Sequence, residues 1–207
     1  MSPRPSLAAL TAELARRDPD LAALVARAEP MGWRPRAADP YAALVRSIVY
    51  QQLAGRAAAA IHGRFVAAVG DAGPTPEAVL ATPEETLRAA GLSAAKVASI
   101  LDLSARVVDG RVDLAHVSRL GDEDIVAQLS AVRGIGEWTA QMFLMFQLRR
   151  LDVWPTADLG VRRGYALVHG LAESPTPKAL GPLGDLYLPY RSVAAMWCWE
   201  AVHLARR

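Results

Sequence analysis

The chain has 207 residues, 52% of them hydrophobic, with 23 Lys+Arg against 21 Asp+Glu and a formal net charge of +2. That is enough chain for one large domain or two intimate lobes, and too little net charge for a polybasic tail, so any contact with nucleic acid has to come from a local basic face. The single cysteine, Cys198, excludes a disulfide framework and any four-cysteine zinc or iron–sulfur site.

Taken in chain order, the sequence reads as helices joined by short links. Leu7, Leu10 and Leu14 share one face of a helix over Leu7 to Arg17. Asp18-Pro19-Asp20 breaks it, a short helix over Leu21 to Ala28 follows, and Glu29 to Pro40 is a Pro/Gly-rich loop. Asp39-Pro40 opens a long helix, interrupted near Ala54-Gly55, with Leu44, Ile48, Ile61 and Phe65 inward. Thr75-Pro76-Glu77 and Thr82-Pro83-Glu84-Glu85 are helix starts with Pro at the first helical position, and Thr82 with Glu85 forms a capping box. Gly91 ends that helix, and Ser93 starts another whose apolar stripe is Val97, Ile100, Leu101 and Val108. Gly110 to Asp113 is a turn, and Gly121-Asp122 begins a helix. Asp158 leads a helix to about His169, a polar loop holds Pro175, Pro177, Gly181 and Pro182, and a last helix runs from Tyr190 to Leu204. About ten helices and no strands make an all-α architecture. Met1-Ser-Pro-Arg-Pro5 contains no apolar leader and no run approaches a membrane span, so a cytoplasmic, single-subunit protein without a membrane partner is expected.

The chemistry is concentrated in Val132-Arg-Gly-Ile-Gly-Glu-Trp-Thr-Ala-Gln-Met-Phe143 and Pro155-Thr-Ala-Asp158. Gly134 and Gly136 permit a turn closed to other residues and let a phosphate approach main-chain N–H groups at the start of a helix. The same hairpin can turn carbonyl oxygens, those of Ser130, Val132 and Ile135, toward a monovalent cation such as Na+ or K+; no cofactor is otherwise required. An ordinary interhelix turn is the plainer alternative. Asp158 stands alone as a carboxylate on an extended lead-in, and a simple helix N-cap is its plainer alternative. His62, His116, His169 and His203 show no ligand spacing, which argues against a catalytic metal.

Gly134-Ile-Gly-Glu-Trp-Thr-Ala140 with Pro155-Thr-Ala-Asp158 resembles the helix-hairpin-helix (HhH-GPD) DNA glycosylase superfamily, in particular its alkyl-purine branch. Ser47-Ile-Val-Tyr-Gln-Gln-Leu53, Gly91-Leu-Ser-Ala-Ala-Lys96 and Pro189-Tyr-Arg-Ser-Val-Ala194 agree with it in order. The resemblance spans residues 39 to 200. It implies a two-lobed helical fold, one lobe over about 45–150 and the other from 1–44 with 151–207, and an active cleft between them.

It further implies a catalytic role for Asp158, which would stabilise positive charge on the deoxyribose and orient water, with double-stranded DNA carrying alkylated bases as partner. Trp138 and Trp199 would form the base pocket, since electron-rich indoles attract cationic N-alkylated purines. Met142 stands where some relatives have a pocket tyrosine, and Tyr50 is either a further pocket aromatic or a core residue. Bifunctional members carry a lysine where Trp138 stands, so base removal without strand cutting is expected. Gly134, Ile135, Gly136, Thr139, Arg133 and Lys96 are the expected DNA-binding residues of the hairpin and its neighbour, with Arg56 and Arg64 as further phosphate candidates. Gln51 and Gln52 would bond to backbone or bases, or merely cap a helix, and Leu53 would be the wedge. Asp152, Trp197, Arg162 and Arg163 are expected to be structural, and Tyr187 to be a packing change from the family's tryptophan. A non-catalytic DNA-binding module, and a glycosylase for mismatched or oxidised bases, are the competing readings.

Overall fold

A computed structural model describes residues 5–33, 35–37, 39–70 and 73–207, so Met1 to Arg4, where no leader was read, lie outside it. The described residues form twelve α-helices, two 3-10 turns and one π-helical turn, with no strand. The chain falls into two compact units: 1–35 with 149–207, and the continuous segment 36–148.

The first unit contains α1 (Leu7–Arg17), α2 (Pro19–Arg27), α10 (Leu159–Val168), α11 (Pro177–Leu183) and α12 (Arg191–Leu204). Asp18 ends α1 and caps α2, its Oδ1 accepting the N–H groups of Asp20 and Leu21. Leu7, Leu10 and Leu14 of α1 and Leu21 and Leu24 of α2 are buried, as the periodicity predicts. The buried indole of Trp197 donates to Thr11 Oγ1 at 3.0 Å, a core role in line with expectation. α10 lies along α12 so closely that a Cβ on Gly164 would stand 1.9 Å from the Cys198 carbonyl oxygen. Burial raises the Cys198 thiol well above its ordinary range, which suits an inert core residue.

The second unit contains α3 (Pro40–Tyr50), α4 (Gly55–Val69), α5 (Pro76–Ala81), α6 (Glu84–Ala89), α7 (Ala94–Val108), α8 (Asp122–Ser130) and α9 (Glu137–Met142). Its core is built from Leu44, Ile48, Phe65, Val79, Leu87, Val97, Ile100, Leu103, Ile125 and Leu129. The π-helical turn Phe143–Gln147 continues α9. Gln147 then pairs with Ala37 through both amide atoms, accepting from its N–H at 3.1 Å and donating to its carbonyl at 2.9 Å.

The interruption expected near Ala54-Gly55 is present: α3 ends at Tyr50, Gln52 takes a positive φ of 57°, and α4 begins at Gly55. Three details differ from the sequence reading. The capping box does not form: Thr82 Oγ1 donates back to the Ala78 carbonyl at 2.8 Å, and α6 begins after Pro83 with no side-chain cap. The polar loop after His169 contains α11, started by Thr176, whose hydroxyl accepts from Ala179 N–H, and by Pro177 at the first position. A 3-10 turn over Val117–Arg119 went unpredicted. Among the described residues, no helix is long and apolar enough to cross a membrane.

Tyr187 is buried and donates to Asp18 Oδ2 at 2.6 Å, while His169 Nε2 lies 3.0 Å from the same hydroxyl. Burial, then the Asp18 carboxylate, pushes the phenol far above its usual range, so it stays a donor. This pairing serves the junction of α1 and α2, since Asp18 is also the α2 cap. Tyr187→Phe is expected to cost about 2 kcal/mol by stripping a donor from a buried carboxylate. Thermal unfolding should record it as a Tm lowered by roughly 4–8 °C.

Candidate functional site

In the first unit, Asp158 is the N-cap of α10. Its Oδ1 accepts the Val161 N–H at 2.8 Å, so the plain capping role is present. The same oxygen accepts the Trp199 indole N–H, from α12, at 2.9 Å. A helix N-terminus favours an anion, so the carboxylate sits where its charge is stabilised. The lead-in is held by turns in which Thr156 N–H donates to the Trp154 carbonyl and Asp158 N–H to that of Pro155. Pro189-Tyr-Arg-Ser supports it from behind. Arg191 grips both carboxylate oxygens of Asp152 at 2.7 and 2.9 Å, and Ser192 Oγ takes the Val153 N–H while donating to the Arg150 carbonyl. Asp152 is therefore structural, as expected, and Arg162 ties α10 to the Pro175 carbonyl at 2.6 Å.

In the second unit, the turn between α8 and α9 is the predicted hairpin. Gly134 has φ of 74°, and a Cβ there would stand 2.4 Å from the buried Ser99 Oγ. Only glycine meets both conditions. Around Gly136 a Cβ would meet nothing within 4 Å, and the α9 N-terminus has no side-chain cap. Open space and uncapped N–H groups together suit an incoming phosphate. Asp102 of α7 holds the turn, accepting the Arg133 N–H at 2.7 Å and pairing with Arg106. Burial pushes the Asp102 carboxyl up, but these donors and Arg111 more than offset it and hold it below the ordinary range. The anchoring is thus complete above the unfolded carboxylate's pKa and is lost as pH falls through the folded value. The Val132 carbonyl accepts the Ile135 N–H at 3.1 Å.

The remaining expected residues divide. Trp138 is exposed at 47%, Leu53 at 39%, and Gln52 and Arg133 are exposed, whereas Met142 is half-buried. Thr139 is buried at 6% exposure, its side chain packed inside the unit. Ile135 is buried too, at 3% exposure. Lys96 is engaged within the unit. Its ammonium donates to the Val49 and Gln51 carbonyls at 2.7 and 2.9 Å, closing the C-terminus of α3, and desolvation lowers its pKa. Arg64 likewise bonds the Ala90 carbonyl at the end of α6. Tyr50 carries the Arg46 guanidinium 4.1 Å from its ring centroid and meets His62 edge-on, contacts of a packed side chain. Gln51, left open between capping and base contact, donates to the Gly134 carbonyl at 3.0 Å and so braces the hairpin. Sequence reasoning missed this brace, the Asp102 anchor and the use of the Trp199 N–H. A glycine at each of 160 and 164, one turn apart, was the available signal for the last.

Asp18, Asp20 and His169 offer ligand atoms within 4.8 Å of one another. Their atoms are engaged in the α2 cap and in bonds among themselves and with Tyr187. The cluster is a hydrogen-bond network that orders the first unit.

Residues 45–181 match the model of the HhH-GPD superfamily base excision DNA repair proteins, and the chain belongs to this superfamily. It is 35% identical to DNA-3-methyladenine glycosylase 1 of Schizosaccharomyces pombe over 169 residues, 81% of this chain and 74% of that protein. It is similar in structure to a DNA-3-methyladenine glycosidase from Bacillus halodurans, with a TM-score of 0.85 and 35% identity, covering 94% of this chain and 89% of that one. A 3-methyladenine DNA glycosylase of S. pombe in complex with abasic DNA superposes with a TM-score of 0.80 at 32% identity, covering 96% and 98% of the two chains.

Two outcomes follow for the hairpin and its brace. Gly134→Ala should weaken DNA binding and lower Tm together, the left-handed conformation alone costing about 1–2 kcal/mol. Lys96→Met should lower Tm and leave the slope of log Kd against log salt unchanged, whereas a true phosphate contact would reduce that slope by about one.

Proposed function

We propose that the protein is a monofunctional DNA glycosylase that releases alkylated bases, such as 3-methyladenine and 7-methylguanine, from double-stranded DNA. The carrying observation is Asp158 itself: a carboxylate held by the Val161 N–H and the Trp199 indole, in a chain whose relatives include 3-methyladenine glycosylases.

In this reading the N–H groups after Gly136, with Arg133, grip the DNA backbone, and Leu53 fills the space of the extruded nucleotide. The exposed Trp138 offers an indole face to the base, and a cationic purine gains from that electron-rich surface. The positive charge also makes the alkylated base a good leaving group. The bond from C1′ to the base nitrogen breaks with its electron pair leaving on the base. Asp158 stabilises the oxocarbenium-like sugar and orients water, whose oxygen then bonds C1′ as its proton is lost. An abasic site and the free base result. Trp138 occupies the place of a lyase lysine, and an indole forms no Schiff base, so the strand stays intact. Neutral carbonyl oxygens suit a hard monovalent cation, and Val132, whose oxygen keeps a second lone pair beside its turn bond, would hold one with Ser130 and Ile135. No step depends on it.

Asp158→Asn should abolish base release from methylated duplex DNA while Kd for an abasic-site duplex is retained. Wild-type release by that variant would falsify the assigned role. The wild-type product should stay full-length on a denaturing gel until treated with alkali, and spontaneous strand cutting would contradict the monofunctional assignment.

A further inference from the structure

Trp199 was expected to be an aromatic wall, a role its ring face would serve. Its position points to a second use, made by the edge of the ring. A capping aspartate held by one N–H retains freedom about its terminal torsion, which is broad and roughly two-fold, so its two oxygens can exchange places. Here Oδ1 receives a second donor from another helix, the Trp199 N–H at 2.9 Å beside the Val161 N–H at 2.8 Å. Two donors from different directions converge on this oxygen and restrain the torsion.

The surroundings are shaped for that bond. A Cβ on Gly160 would stand 2.7 Å from Trp199 Cδ1, 2.9 Å from its Nε1 and 3.0 Å from Asp158 Oδ1. The absent side chain thus corresponds to the place where the indole meets the carboxylate. Its neighbour on the same face, Gly164, lets the backbone of α12 approach at Cys198, the residue before Trp199. The two glycines set how near α12 lies to α10, and that spacing sets whether the indole N–H reaches the carboxylate.

We propose that Trp199 is a positioning residue for Asp158, acting through its indole N–H, and that Gly160 is the specific vacancy that permits the contact. This rests on the reading of Asp158 as the acting carboxylate. Three variants tested together keep the two ideas separable, with single-turnover base release and Kd for an abasic-site duplex measured for each. Trp199→Phe keeps an aromatic face and removes the N–H. It should slow release about 10- to 100-fold, as expected for a misdirected catalytic group, with Kd unchanged. The loss should be similar for 3-methyladenine and 7-methylguanine, because the fault lies in the carboxylate and not in the stacking of either ring. Gly160→Ala, a change placed against the indole edge and the carboxylate, should produce the same rate defect. Should that variant fold poorly by circular dichroism, the Trp199→Phe rate alone decides. Near-wild-type release by Trp199→Phe would overturn the proposal and leave a stacking wall. Asp158→Asn separates the premises: if it releases base normally, the catalytic reading fails; if it is inactive while Trp199→Phe is normal, only the positioning role fails.

Discussion

The approach of α10 to α12 is the constraint on which the first unit depends. Two glycines one turn apart remove the side chains that would otherwise hold the helices at their ordinary separation, and backbone meets backbone at Gly164 and Cys198. Close-packed interiors transmit small displacements, because neighbouring atoms have no slack to absorb them. A methyl group added at either glycine would therefore move the start of α10, and with it the cap residue Asp158. The acidic group of the site is in this sense part of the packing of the core. Its other supports, the Arg191–Asp152 pair and the Ser192 bonds, hold the lead-in segment from the N-terminal end of the same α12. One helix thus holds the approach to Asp158 and restrains its side-chain torsion.

The second unit solves a different problem by similar means. A hairpin that offers main-chain N–H groups to a DNA backbone, as proposed, cannot also be held by them. It is held instead by its other polar atoms, the Gly134 carbonyl by Gln51 and the Arg133 N–H by Asp102, while Ser99 takes the space a side chain at Gly134 would need. Lys96 closes the circuit by binding the carbonyl of Gln51 itself, so the segment carrying Gln52 and Leu53 is fastened to the same frame as the hairpin. A lysine spent on carbonyls stiffens this frame, a different contribution from the long-range attraction of an exposed cation.

Much of this was legible in the sequence, for identifiable reasons. Helix starts with Ser or Asp before an apolar run, at Asp39 and Ser93, were readable because the cap and the periodicity agree. Asp158 and Gly134 were readable because few residues can do what those positions require, whereas Gly136, expected to be closed to other residues as well, has an ordinary extended backbone and open space around its α-carbon. Side-chain direction was not. Lys96, Thr139 and Arg64 lie beside hairpin or helix-end signals, and only tertiary packing decides that two of them cap carbonyls and the third is buried. Thr82 failed for a local reason, since a threonine hydroxyl serves the helix behind it as readily as the one ahead. Gln51 was left open between two roles, and its partner, distant in sequence, was invisible to any local pattern.

The Gln147–Ala37 pairing has a topological meaning. Residue 37 follows the point where the chain passes from the first unit into the second, and residue 147 precedes the point where it returns. A single glutamine amide, using both its donor and its acceptor, holds those two points together. Segment 36–148 is therefore a continuous insert whose ends are already joined within one side chain's reach. Such an arrangement keeps the loop-closure cost to the host unit low, and it is the geometry by which one folding unit is spliced into another.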